Sequence, residues 1–164
     1  MRTAISTLAI GEKGERLLSK TRGLMEDYAR RCDAEFFVFD QKKINGPHLH
    51  FEKAQFVELL DNGFDRVIYL DADVIVRRHA PNLMRITPHG RLGLSITSRY
   101  VDRMVNLFNS GVMVICRETV DLFRPPFEIL PEMKTRRSHV GDEILWAHRV
   151  NNSSIEPFDL GWKH

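Results

Sequence analysis

Apolar and polar positions along the chain fall into short blocks whose period switches between that of a strand and that of a helix. Residues 3–10 are small, β-branched or apolar and stop at Gly11, which predicts a first strand. Over residues 12–31, Leu17, Leu18, Leu24, Met25, Tyr28 and Ala29 share one helical stripe. Gly23 inside that helix costs roughly 1 kcal/mol. Glu35-Phe36-Phe37-Val38-Phe39 reads as a short buried strand. Residues 40–50 are loop-like, with Asn45-Gly46-Pro47 as a turn signal, and a helix is predicted over about residues 51–60, closed by Asn62-Gly63. Arg66-Val67-Ile68-Tyr69-Leu70 is a third strand, a near-continuous apolar run of the kind buried on both faces. It ends in Asp71-Ala72-Asp73, followed by Val74-Ile75-Val76. Residues 92–96 and 112–116 are two more strand candidates, and a helix over 142–150 carries Ile144, Leu145 and His148 on one face. The Pro-rich stretch 124–131 is a connector. This alternation predicts a single α/β domain over residues 1–164 with a mostly parallel sheet flanked by helices. In such sheets ligands bind outside the carboxyl ends of the strands, where Asp71 and Asp73 stand.

Composition narrows the partners. The 164 residues are 43% hydrophobic and 28% charged, with a formal net charge of +2 and no Lys/Arg run longer than two. A soluble globular protein is expected, with nucleic acid an improbable partner. Cys32 and Cys116 lie far apart and form no CxxC pair, so neither a zinc site nor a disulfide framework is expected, and reduced thiols point to the cytoplasm. No stretch approaches 18 uninterrupted apolar residues and the N-terminus lacks an apolar leader core, so no transmembrane segment is expected.

Two carboxylates one residue apart, just past a buried strand, repel unless a cation compensates. A hard divalent ion such as Mn²⁺ or Mg²⁺ takes carboxylate oxygens and keeps positions open for substrate phosphates. Ala72 between them is small enough for the backbone to approach a ligand closely. The plainer reading is a pair of solvated aspartates in a turn.

The flanking residues carry a resemblance. Tyr69-Leu70-Asp71-Ala72-Asp73-Val74-Ile75-Val76 resembles the DxD segment of family 8 retaining glycosyltransferases, the group of glycogenin and bacterial lipopolysaccharide galactosyltransferases. Phe108-Asn109-Ser110-Gly111-Val112-Met113-Val114-Ile115 is similar to the family's FNSG-type segment. Gly141-Asp142-Glu143-Ile144-Leu145 resembles the later segment where an Asp-Gln pair opens a helix, and Ser6-Thr7-Leu8 resembles the nucleotide-binding first strand. The segments occur in the family's order over nearly the whole chain. The resemblance implies a Rossmann-like GT-A domain that moves a hexose from a UDP-sugar to a carbohydrate or protein acceptor. It implies Asp71 and Asp73 as ligands of Mn²⁺ or Mg²⁺, with Asp71 also near the ribose of the sugar donor. Ala72 lies between them at the ligand. It further implies Leu8, Ile10 and Gly11 at the uridine, Lys53 near the phosphate, Asn109 and Ser110 at the donor sugar, and Asp142 and Glu143 beside the anomeric carbon.

Departures from the family pattern are specific. Glu143 replaces the usual Gln, which makes a nucleophilic carboxylate chemically possible there. Gly14 stands where the family commonly has an aromatic residue for the base. The family's histidine ligand lies in an H-x-x-G-x-x-K segment, whereas this chain ends Gly161-Trp162-Lys163-His164, so its C-terminus looks truncated, with His164 as a substitute ligand and homo-oligomerisation through an uncovered apolar face as expectations. Each residue also has a bland alternative: Lys53 solvated on a helix, Leu8 and Ile10 simply core, Asn109 in a turn, Asp142 a helix cap. Three other functions stay open: a haloacid-dehalogenase-like phosphatase, whose signature is also a strand ending in D-x-D, a non-catalytic nucleotide-sugar binder, and a nucleotidyltransferase with a Gly-rich loop at Gly11-Glu12-Lys13-Gly14.

Overall fold

The computed structural model describes residues 1–101, 104–128 and 141–161, with side chains over the same ranges except 97–107. In chain order the elements are β1 (Thr3–Leu8), α1 (Gly11–Arg31), β2 (Glu35–Phe39), a 3₁₀ helix (Leu49–Gln55) that runs into α2 (Phe56–Asp61), and β3 (Arg66–Leu70). Then follow α3 (Leu83–Ile86), β4 (Gly93–Val101), β5 (Met104–Cys116), a 3₁₀ turn (Val120–Phe123), α4 (Asp142–Asn151) and β6 (Phe158–Asp159). Among the described residues six strands form one sheet in the order β2-β1-β3-β5-β4-β6. Pairings are parallel except where β5 meets β3 and β4, so β5 runs against the other five. The α/β fold with a mostly parallel sheet is as the sequence pattern leads one to expect.

β3 lies inside the sheet, with every residue buried. Its side chains alternate: Val67 and Tyr69 enter a core with Phe51, Phe56, Phe123 and Trp146, while Ile68 and Leu70 enter a second core with Leu18, Met25 and Tyr28 of α1. The first core is aromatic. Phe123 and Trp146 meet edge to face at 5.1 Å between ring centroids, and Phe56 meets Phe123 at 5.3 Å.

Several boundaries differ from the sequence expectation. The first strand ends at Leu8, because Gly11, in the left-handed region at φ 71°, already begins α1. The helix predicted over 51–60 is divided into the 3₁₀ segment and α2. β5 begins well before Val112, so Asn109, Ser110 and Gly111 lie within a strand and not in a turn. α3 and β6, of four and two residues, are too short for any periodicity to reveal. Both cysteines are free and buried. No helix among the described residues is long and apolar enough to cross a membrane. The connector residues beyond 128, and Trp162, Lys163 and His164, lie outside the described residues.

One irregularity positions the site. Leu94 of β4 pairs with Met113 of β5, but the next residue, Ser95, pairs with Asn109. Residues 110–112 therefore bulge away from β4, while Val112 stays paired with Leu70 and the Asp71 N–H donates to the Gly111 carbonyl at 2.8 Å. Bulges of this kind re-aim side chains and are over-represented beside active sites.

Candidate functional site

The site begins at the end of β3. Residues two apart on a strand share a face, so Tyr69 and Asp71 point the same way. The Tyr69 hydroxyl donates to Asp71 Oδ1 at 2.9 Å. Burial first, then the neighbouring Asp71 carboxylate, pushes the Tyr69 phenol well above its ordinary value, so it remains a proton donor to that carboxylate. Gly111 crosses close by: a Cβ there would sit 3.0 Å from Asp71 Oδ2 and 2.8 Å from Asn109 Oδ1. Only glycine leaves that space open.

Lys53, from the 3₁₀ helix, reaches the same point from the aromatic side of the sheet. It is 5% exposed, so the solvated-helix reading does not hold. Its Nζ lies 3.0 Å from Asp71 Oδ1 and 3.3 Å from Asp142 Oδ2, and donates to Ser110 Oγ at 2.9 Å. Burial alone would push the ammonium down, but Asp142 and Asp71 outweigh it and hold Lys53 above its usual value. Asp142 opens α4 and is itself buried. The N-cap position belongs to Gly141, and the Asp142 carboxylate turns inward to accept from the Ser110 hydroxyl at 2.8 Å. The capping reading of Asp142 is thereby corrected. Glu143 is held by the same bulge, its Oε1 accepting from the Ser110 N–H at 3.0 Å. Lys53, Asp71, Ser110, Asp142 and Glu143, from four separate stretches of chain, thus form one connected cluster.

The remaining sequence candidates are distributed around it. Ala72 is buried and its carbonyl accepts from Thr21 Oγ1 of α1 at 2.6 Å, which ties the acidic turn to the opposite layer. The Val74 N–H donates to the Asp71 carbonyl at 2.9 Å, closing that turn. Asp73 is exposed, in contrast to Asp71, whose side chain is 32% exposed. Ser6 pairs with Tyr69, so Leu8 stands level with Asp71 one strand away; Leu8 and Ile10 are half-buried and Gly11 is exposed. Asn109 is half-buried, and its Oδ1 accepts from the Gly111 N–H at 2.8 Å, stiffening the bulge. Gly14 packs so tightly that a Cβ would lie 2.8 Å from the Ala9 carbonyl carbon, so an aromatic side chain there would force α1 off β1.

Sequence reasoning missed Tyr69, Thr21 and Gly111. A phenol two residues before a carboxylate on a buried strand is a usable signal for the first. The other two depend on contacts 51 and 40 residues away in sequence, which only the fold brings together.

The chemistry of the ligand set suits a cation. Among these five side chains, four carboxylates (Asp71, Asp73, Asp142, Glu143) against one ammonium (Lys53) sum to a formal charge of −3, and carboxylate oxygens are hard donors. Among the described residues no three His, Cys, Asp or Glu side chains gather as a complete metal site. Asp71, half-buried, and Asp73, exposed, are the carboxylates of the strand-end turn that could take part in holding a divalent ion.

No family model and no curated sequence matches the chain. Among solved structures it is similar to a glycosyltransferase involved in the glycosylation of the major capsid of PBCV-1, with a TM-score of 0.53 and 16% identity, covering 73% of this chain and 63% of that one. Weaker likenesses are to A197 from STIV (TM-score 0.48, 14% identity, 90% of this chain and 77% of that one) and to a Drosophila β-1,4-galactosyltransferase 7 complexed with manganese, UDP-Gal and xylobiose (TM-score 0.46, 13% identity, 74% and 52%). The chain spans 63% of the length of the PBCV-1 enzyme. What the first likeness shows is the fold alone: an α/β domain with a mostly parallel sheet, shared with that glycosyltransferase.

Proposed function

We propose that this chain is a glycosyltransferase of the retaining, family 8-like kind, moving a hexose from a UDP-sugar to a carbohydrate or protein acceptor. The observation that carries the reading is the convergence of Lys53, Asp71, Ser110, Asp142 and Glu143 at the carboxyl end of β3 in a fold of this type. Asp71 and Asp73 would hold Mn²⁺ or Mg²⁺, which would supply positive charge to a departing diphosphate. Leu8, Ile10 and Gly11 border the nucleotide side, where contacts come from backbone groups. Tyr69 holds Asp71 Oδ1 and Lys53 lies against both carboxylate oxygens, a preorganisation that avoids reorienting the acid when substrate arrives. Ser110 anchors Asp142 and Glu143 together through its hydroxyl and N–H. Glu143 is thereby fixed in position, where a carboxylate would stabilise an oxocarbenium-like centre or attack it.

The test is thermal-shift titration with UDP, UDP-glucose, UDP-galactose and phosphate monoesters, each with and without Mn²⁺, followed by sugar-release assays. Ligands that bind only the folded chain raise its apparent stability. The reading expects a manganese-dependent shift with a UDP-sugar that disappears in Asp73→Asn while the unliganded melting temperature stays put. A shift and turnover confined to phosphate monoesters would instead support the phosphatase. Binding of the UDP-sugar without release or transfer would make the chain a nucleotide-sugar binder.

A further inference from the structure

On the face of the sheet opposite the Lys53 cluster, a groove of about 580 Å³ opens between α1 and the loop that follows Asp73. That volume lies within the usual range for small-ligand sites, roughly 300–1,000 Å³. Leu70, Val112 and Leu83 contribute apolar surface to it, and Val74 and Val76 line it from the loop. Its framework is fixed: the Tyr28 hydroxyl donates to the Pro81 carbonyl at 2.8 Å and accepts from the Leu83 N–H at 3.0 Å. Arg66, buried beneath, donates to the Met84, Thr87 and Pro88 carbonyls at 2.7–3.1 Å. Ile75, a lining residue, is 73% exposed, an unusual placement for a large aliphatic side chain beside an apolar groove.

The rim is basic. Arg77 and His79 line the groove, Arg78 is exposed on the same loop and Arg85 on α3, and the Arg31 guanidinium lies within 3.4 Å of the Arg77 and Ala80 carbonyls. From Val74 to Val101 the chain carries five arginines and no Asp or Glu; the nearest acids along the chain and on α1 are Asp73, at one end of the loop, and Asp27, which is paired with Arg30. A concave apolar surface with arginines at its mouth complements a hydrocarbon chain ending in an oxyanion, since guanidinium forks match phosphate oxygens.

We propose that this groove binds a single-chain anionic amphiphile, hydrocarbon within and phosphate head against Arg77. The proposal does not depend on the transferase reading, because its measurement is binding alone. Calorimetric titration with monomeric dodecyl phosphate should give saturable binding of one molecule per chain. Dodecyl maltoside should bind at least ten-fold more weakly, and inorganic phosphate should give no saturable heat. Ile75→Glu, on an exposed side chain, and Ala80→Phe, which fills the groove, should each weaken dodecyl phosphate at least ten-fold, and Arg77→Ala about five-fold. Any of three results would overturn the assignment: inorganic phosphate matching the amphiphile, unchanged affinity in both Ile75→Glu and Ala80→Phe, or binding to phosphatidylglycerol vesicles but not to the monomeric alkyl phosphate.

Discussion

The two faces of the sheet are built differently. On one, Phe51, Phe56, Phe123 and Trp146 seal an aromatic core, and the elements that carry them, the 3₁₀ helix and α4 among them, also deliver Lys53, Asp142 and Glu143. On the other, α1 covers β1 and β3 with mostly aliphatic groups around one buried ring, Tyr28, and a groove is left beside Leu70 and Val112. A charged cluster in which a buried ammonium faces two acids tolerates little error in position. It sits where large rigid rings fix the helices around it. The leaner face bears no such constraint and has room for an opening.

This contrast can be broken by mutation. Trp146→Ala removes the fully buried centre of the aromatic face and should cost about 4 kcal/mol, read as a lower urea midpoint. Lys53→Met leaves Asp142 buried without its cation and should cost about 3 kcal/mol, with most of that recovered in Lys53→Met/Asp142→Leu. If the double variant is no more stable than the single one, the pair is not coupled as described. Tyr69→Phe keeps the ring and removes the hydrogen bond to Asp71, a loss of about 1.5 kcal/mol by the same measurement. On the open face, Ile75→Ser should change stability by no more than about 0.5 kcal/mol. A loss comparable to Trp146→Ala at Ile75 would show that the two faces do not differ in this way.

Much of the frame was legible in the sequence because it rests on local periodicity. β3 announced itself as an apolar run, α1 as a stripe, and the position of Asp71 at a strand end followed from both. The environment of Lys53 was not legible: a lysine between Glu52 and Ala54 looks solvated, and only the fold brings it to Asp71 and Asp142, 18 and 89 residues away (71 − 53 and 142 − 53). Asn109-Ser110-Gly111 read equally well as a turn because those residues favour turns for their local hydrogen bonding and small size. Here the same properties serve a strand bulge, with Asn109 closing onto Gly111 and Ser110 reaching Asp142. Glu143 was legible only as a departure in kind, amide to acid; its attachment to the Ser110 N–H depends on how α4 docks.

The bulge in β5 also bears on how the chain arrives at its native arrangement. Side chains on a strand alternate, so a slip of one position against β3 would send Ser110 to the far side of the sheet and place the Cβ of Ser110 or Val112 where Gly111 clears the acid. Such a misaligned intermediate would retain much of its backbone pairing yet strand Lys53 and Asp142 without the hydroxyl that joins them. The penalty for that error falls on buried charge, which makes the polar centre a discriminator among alternative strand alignments as well as a place for chemistry.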